Sequence, residues 1–145
     1  MIYIDTSSLL KLFILDEQLR PITLAIYQES IVVVSPLTEL EAFVQMRANY
    51  LGGSWSASRY ARLRKRLSET IEKRPFVKLE LPRQIFSIAI KQHATSNIHC
   101  RSLDRLHLAA MAELGVSRLM THDVRQAAAA RELGYEVVMP GMDEE

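Results

Sequence analysis

Met1 to Ile4 is apolar with no polar alternation, the pattern of a strand buried on both faces. Asp5 closes that run. After Thr6, Ser7 and Ser8, the residues Leu9, Leu10, Leu12 and Phe13 fall at helical spacing. Short strand and amphipathic helix then alternate to the end of the chain. Leu19 to Glu29 reads as a helix with Pro21 in its first turn. Ile31 to Val34 is β-branched throughout and reads as a second buried strand. Pro36 opens a helix that carries Leu37, Leu40, Glu41 and Val44 on one apolar face, with Glu39 turned to solvent. Gly52, Gly53, Ser54 and Ser56 form a break. Ala57 to Lys73 follows as a helix with Tyr60, Leu63, Leu67 and Ile71 in its stripe, so the two helices predict a hairpin standing off the sheet. Phe76 to Leu79 alternates and predicts a less buried strand. Pro82 opens a helix with Ile85, Ile88, Ala89 and His93 inward. Ser102 is the expected N-cap of a helix that ends at Gly115. Val116 to Met120 is a fourth strand, Val124 to Leu133 a helix, Tyr135 to Met139 a fifth strand, and residues 140–145 a frayed tail.

This alternation predicts an α/β fold: a mainly parallel sheet of about five strands with helices on both faces. One domain covers residues 1–145, with no repeat or internal boundary. Right-handed crossovers bring every strand's carboxyl end to one edge, where ligands bind in open α/β sheets. Asp5 and Asp123 follow strands directly, and Glu41 and Asp104 lie in early helical turns. The topology therefore gathers four acids at one edge. Each also has a plainer explanation. Asp5 can cap a helix, and Asp104 suits the positive end of a helix dipole.

Four carboxylates in one place repel one another, and a hard divalent cation removes that cost. Mg²⁺ and Mn²⁺ prefer oxygen ligands, whereas the chain has no Cys–His set for zinc. A metal held by carboxylates commonly works on phosphates, by polarising a phosphoryl oxygen and activating a bound water.

Charge adds a second clue. Residues 47 to 74 hold eight Arg or Lys and two acids, a local balance of +6 in a chain of net charge +1. The remainder is slightly acidic, so this stretch is either a solvated helix face or a surface for a polyanion. Arg47, Arg59, Arg62 and Arg66 are the candidate RNA contacts. Trp55 and Tyr60, interleaved with arginines, stack bases or, more simply, pack the hairpin. The hydrophobic fraction of 48% and charged fraction of 24% are those of a soluble globular protein. No apolar run reaches membrane-spanning length, no signal peptide is visible, and the single Cys100 excludes an internal disulfide. A cytoplasmic location is the expectation.

Four motifs carry a resemblance: Ile2-Tyr3-Ile4-Asp5-Thr6-Ser7, Ser35-Pro36-Leu37-Thr38-Glu39-Leu40-Glu41, Leu103-Asp104-Arg105-Leu106-His107-Leu108-Ala109-Ala110, and Thr121-His122-Asp123. With the closing run from Leu133 to Pro140, the chain resembles the PIN-domain ribonucleases, in particular the VapC toxins of toxin–antitoxin pairs. The resemblance implies an α/β/α sandwich and Mg²⁺- or Mn²⁺-dependent RNA cleavage by a metal-activated water. It also implies a homodimer and an antitoxin that wraps the toxin and blocks its site. It assigns the acidic quartet to Asp5, Glu41, Asp104 and Asp123, with Thr6, Ser7 and Thr121 as hydrogen-bonding support. Glu39 is a rival to Glu41, but the motif register and helical facing both select Glu41.

His107, one turn after Asp104, is either a metal ligand or a satisfied, partly buried histidine, and its apolar neighbours favour the second. His93, His99 and His122 have no partner at ligand spacing. Two other classes stand beside the nuclease. One is a PIN-like module that binds metal or nucleic acid without chemistry. The other is a receiver-type phosphotransfer domain, which lacks its acid pair, phospho-acceptor and late lysine here.

Overall fold

The computed structural model describes residues 1–14 and 19–142; the end of the expected frayed tail, residues 143–145, lies outside the described residues. Five strands form one sheet: β1 (Ile2–Ile4), β2 (Val32–Val34), β3 (Phe76–Lys78), β4 (Arg118–Met120) and β5 (Glu136–Val138). The described helices are α1 (Thr6–Ile14), α2 (Leu19–Tyr27), α3 (Pro36–Leu51), α4 (Ala57–Ile71), α5 (Ile85–Thr95), α6 (Ser102–Leu114) and α7 (Val124–Glu132). The strand order is β3-β2-β1-β4-β5, and every pairing is parallel.

Strand alternation divides the interior into two cores. Ile2, Ile4, Val32, Val34 and Met120 pack with α1 to α4, while Tyr3, Val33 and Leu119 pack with α5 to α7. The chain builds outward from β1 to β3, then returns to lay β4 on β1's other side. The crossovers therefore change face beside β1, which is a topological switch point and the place where such sheets bind ligands. Asp5 sits there, its amide donating to the Met120 carbonyl at 3.1 Å.

Local chemistry sets the helix starts. Ser35 accepts from the Thr38 amide at 3.2 Å with Pro36 in the first turn, and Thr38 Oγ1 donates to the Ile4 carbonyl at 3.1 Å, pinning α3 to β1. The N-cap of α6 is Arg101 and not Ser102, because the extended residue is Arg101 and Ser102 is already helical. Gly115 ends α6 in the left-handed region at φ +66°, where an L side chain is strained.

Two faces differ from the hydrophobic pattern. Helix α3 buries Thr38, Ala42 and Met46, whereas Leu40 and Val44 are 61% and 59% exposed. His93, expected inward on α5, is exposed; Ile85 and Ala89 fill that side. Helix α4 does bury Leu63, Leu67 and Ile71, which join the core of α1 and β1, while the turn at 52–54 is exposed.

These faces predict unequal costs for similar truncations. Leu67→Ala should destabilise by about 2–5 kcal/mol, whereas Leu40→Ala should stay within about 0.5 kcal/mol, as read from urea unfolding midpoints. Equal losses would mean that the buried face of α3 has been assigned wrongly.

Candidate functional site

A cleft of about 490 Å³ opens at the carboxyl edge of the sheet, and Asp5, Glu41, Asp104 and Asp123 all line it. Four elements deliver them. Asp5 follows β1, Glu41 lies on the second turn of α3, Asp104 on the first turn of α6, and Asp123 caps α7. Glu39 is instead paired with Lys78 at 3.4 Å and stands outside the cleft. Leu40, Val44 and Leu103 form an exposed apolar rim. That rim explains α3: its leucines and valine border the cleft and do not fill the core.

Asp5 is 4% exposed and fully occupied. Its Oδ1 accepts from Ser7 Oγ at 2.8 Å and from the Ser8 amide at 3.0 Å; its Oδ2 accepts from Thr121 Oγ1 at 2.8 Å. Asp5 thus caps α1 and also faces the cleft, so both readings of it hold. Burial pushes its carboxyl above the usual range, and the Ser8 amide, His107, Thr121 and Ser7 offset that only in part.

Glu41 is held differently. Its Oε2 accepts from Thr6 Oγ1 at 2.9 Å and lies 2.5 Å from His107 Nε2. Burial opposes its charge, but His107, Thr6 and the nearby Arg101 outweigh it and hold its carboxyl below the usual range. The two acids are therefore pushed in opposite directions.

Asp104 and Asp123 share a cation from the chain itself. Arg101 Nε donates to Asp104 Oδ2 at 2.8 Å, and its Nη2 donates to Asp123 Oδ2 at 3.1 Å. The other oxygen of Asp123 accepts from the Arg125 and Gln126 amides at 2.9 and 3.0 Å. Among the described residues, no three His, Cys, Asp or Glu side chains are grouped closely enough to hold a metal ion as they stand. The carboxylates share one cleft without closing into a cage, because Arg101 sits between two of them. The donor set still fits a hard cation. It is all oxygen, and a guanidinium already stands in as the positive charge.

The hairpin arginines do not line the cleft. Arg47 lies over the Tyr50 and Tyr60 rings at 5.1 and 5.6 Å, Arg59 over Trp55 at 5.3 Å, and Arg66 over Phe13 at 5.6 Å. Arg62 is exposed on α4. Trp55 is buried and Tyr60 stacks on Tyr50 at 5.2 Å, so these rings pack the hairpin. His122 is bonded to Ser8 Oγ at 2.7 Å and to the Pro140 carbonyl at 2.8 Å, a structural role.

The family model for the PIN domain matches residues 2–132. The chain belongs to the PIN-domain family. Solved structures share the fold of this PIN domain at low identity. The VapC20 toxin of Mycobacterium tuberculosis, described as Sarcin-Ricin loop cleaving, superposes with a TM-score of 0.73 at 15% identity, covering 97% of this chain and 100% of that one. FitAB bound to an IR36 DNA fragment gives 0.75 at 16% identity, covering 100% and 99%. FitAcB from Neisseria gonorrhoeae gives 0.66 at 19%, covering 97% and 98%. A search of curated sequences finds no match.

Pattern alone missed Arg101, whose role depends on a loop that brings Asp123 beside Asp104. It also missed Tyr3 as the polar partner of His107, with Ser35 bonded in turn to Tyr3.

The raised carboxyl of Asp5 has a consequence for stability. Its ionised form costs the folded state free energy above the unfolded pKa, and that cost fades as pH falls and Asp5 takes up a proton. Asp5→Asn, which keeps a cap for Ser8, should therefore raise the melting temperature of the metal-free protein at pH 7. Each kcal/mol recovered is worth about 2–4 °C. The gap between variant and wild type should narrow toward acid pH, and a variant that melts below wild type at pH 7 would contradict this electrostatic picture.

Proposed function

We propose that this PIN domain, one domain spanning the chain, is a metal-dependent endoribonuclease and the toxin of a VapBC-type toxin–antitoxin pair. The observation that carries the reading is the cleft itself, which four carboxylates from four distant segments line at the switch point of a PIN fold. Asp5, Asp104 and Asp123 are the residues that would hold Mg²⁺ or Mn²⁺, with Glu41 binding it or orienting the nucleophilic water. When bound, the cation supplies a Lewis acid and an activated water for phosphodiester hydrolysis.

The chain's own residues do the rest. Ser7 and Thr121 fix the Asp5 carboxylate, and Thr6 fixes Glu41. Arg101 neutralises Asp104 and Asp123, and its side chain is 72% exposed, so it would also be open to a phosphate in the cleft. Arg47, Arg59, Arg62 and Arg66 offer cationic surface for the more distant backbone of an RNA strand. The exposed apolar residues Leu40, Val44 and Leu103 support protein contacts beside the cleft, with a cognate antitoxin or a second copy in a homodimer. The VapC20 protein that shares this fold is described as a toxin, which supports an antitoxin partner here. No described helix is long and apolar enough to cross a membrane, and a cytoplasmic location fits an RNA substrate. The second reading, a PIN-like module that binds metal or nucleic acid without cleaving, is favoured by the absence of a closed ligand cage among the described residues.

Cleavage assays separate the two. Asp5→Asn and Asp123→Asn should each abolish cleavage of total cellular RNA while remaining folded. EDTA should stop the wild type, and Mg²⁺ or Mn²⁺ should restore it. Full cleavage by both variants, or in chelator, would reject the nuclease; tight RNA binding with no cleavage under any metal would select the binding module.

A further inference from the structure

Behind Glu41 a continuous line of polar side chains runs into the core. His107 Nε2 lies 2.5 Å from Glu41 Oε2, and His107 Nδ1 lies 2.7 Å from the Tyr3 hydroxyl. The Tyr3 oxygen lies 2.6 Å from Ser35 Oγ, which accepts from the Thr38 amide at 3.2 Å. Tyr3 is 0%, Ser35 1% and His107 2% exposed. Strand β1, the end of β2 and the middle of α6 each contribute one member.

Donors and acceptors along this line match. A carboxylate only accepts, so His107 Nε2 carries a hydrogen. The Tyr3 hydroxyl can donate and accept, so it can bond to His107 and Ser35 at once. His107 Nδ1 and the Tyr3 hydroxyl share one hydrogen bond, the Tyr3 and Ser35 hydroxyls share the next, and the Thr38 amide donates to Ser35. Every polar atom in the line then has a partner, which is the condition for a buried network to rigidify and not destabilise its surroundings. The imidazole meets the Tyr3 ring edge-on, at 5.6 Å and 72°. Flipping the ring would set carbon atoms against both Glu41 and Tyr3.

Helix spacing gives this line a purpose. Asp104 and His107 are three residues apart on α6 and share a face, so one helix presents an acid to the cleft and a donor to a second acid. A glutamate has several rotatable bonds, and ordering them on binding costs entropy that a preset carboxylate avoids. A cluster whose only task was to satisfy buried groups would not need to end on the rim of the cleft, on a carboxylate that is part of its lining.

We propose that His107 is a positioning residue: anchored by Tyr3 and Ser35, it presets the Glu41 carboxylate for a divalent cation. The inference rests on the proposed function and takes the first of the two roles given there to Glu41, metal binding. It gives the Asp-x-x-His spacing a second role, distinct from direct metal ligation by the histidine.

The test is Mn²⁺ binding by calorimetry on the full chain, with no RNA present. His107→Phe keeps ring size without a donor, and His107→Gln keeps a donor that reaches Glu41. Loss of an indirect metal contact typically weakens binding about 10–100-fold. The proposal predicts such a loss for His107→Phe, with His107→Gln restoring most of the affinity. Tyr3→Phe, which removes only the anchoring hydroxyl, should show an intermediate loss. Leu67→Ala, destabilised away from the line, should bind as the wild type does. On cleaved RNA, His107→Phe should lower kcat with KM little changed. A purely structural histidine predicts that Phe is tolerated at least as well as Gln in Mn²⁺ affinity, and that result overturns the proposal. If the wild type binds no Mn²⁺, the metal-dependent function falls and this inference falls with it. Wild-type binding that is lost in Glu41→Gln but unchanged in His107→Phe and Tyr3→Phe removes only the positioning role.

Discussion

Negative charge held out of water at the carboxyl edge of the sheet is the constraint around which the rest is arranged. Asp5 is nearly inaccessible, and three other acids share its cleft. Burying one carboxylate costs several kcal/mol unless donors or a cation compensate, and like charges nearby raise that cost. Each acid has its own compensation. Asp5 takes donors from Ser7, Ser8 and Thr121, Glu41 takes Thr6 and His107, and Asp104 and Asp123 share Arg101. In the proposed function a divalent ion would take over the compensation that Arg101 gives Asp104 and Asp123.

Topology is what brings these groups together. The return of β4 beside β1 places Asp5 and Thr121 on neighbouring strand ends, and it leaves the N-terminus of α6 at the same edge. Helix α6 runs back toward the start of β4, so Asp104 arrives without following a strand. Tyr3, pointing opposite to Ile2 and Ile4, then links the second core to the cleft through His107. Stability and site are thus built from the same three residues of β1.

Much of this was legible in the chain. Buried strands announce themselves by β-branched runs, and their ends by Asp5, Ser35 and Thr121. Asp5, Glu41 and Asp123 were readable because each follows a strand directly or lies early in the helix after one, and Asp104 was readable through the motif around it. The apolar face of α3 was misleading for a physical reason: periodicity reports a hydrophobic stripe, not what covers it, and Leu40 and Val44 border a cleft. Arg101 was illegible because its partners, three and 22 residues away, meet only through the loop before α6 and the cap of α7. The setting of His107 likewise depends on Glu41 and Tyr3, 66 and 104 residues distant in sequence.

A crystal structure grown with Mn²⁺, with data collected to show its anomalous scattering, tests the central claim most directly. The account predicts a single strong peak among Asp5, Asp104 and Asp123, with the Arg101 side chain displaced from between Asp104 and Asp123. A cleft without a peak at saturating Mn²⁺, with Arg101 still bridging those two aspartates, would contradict it.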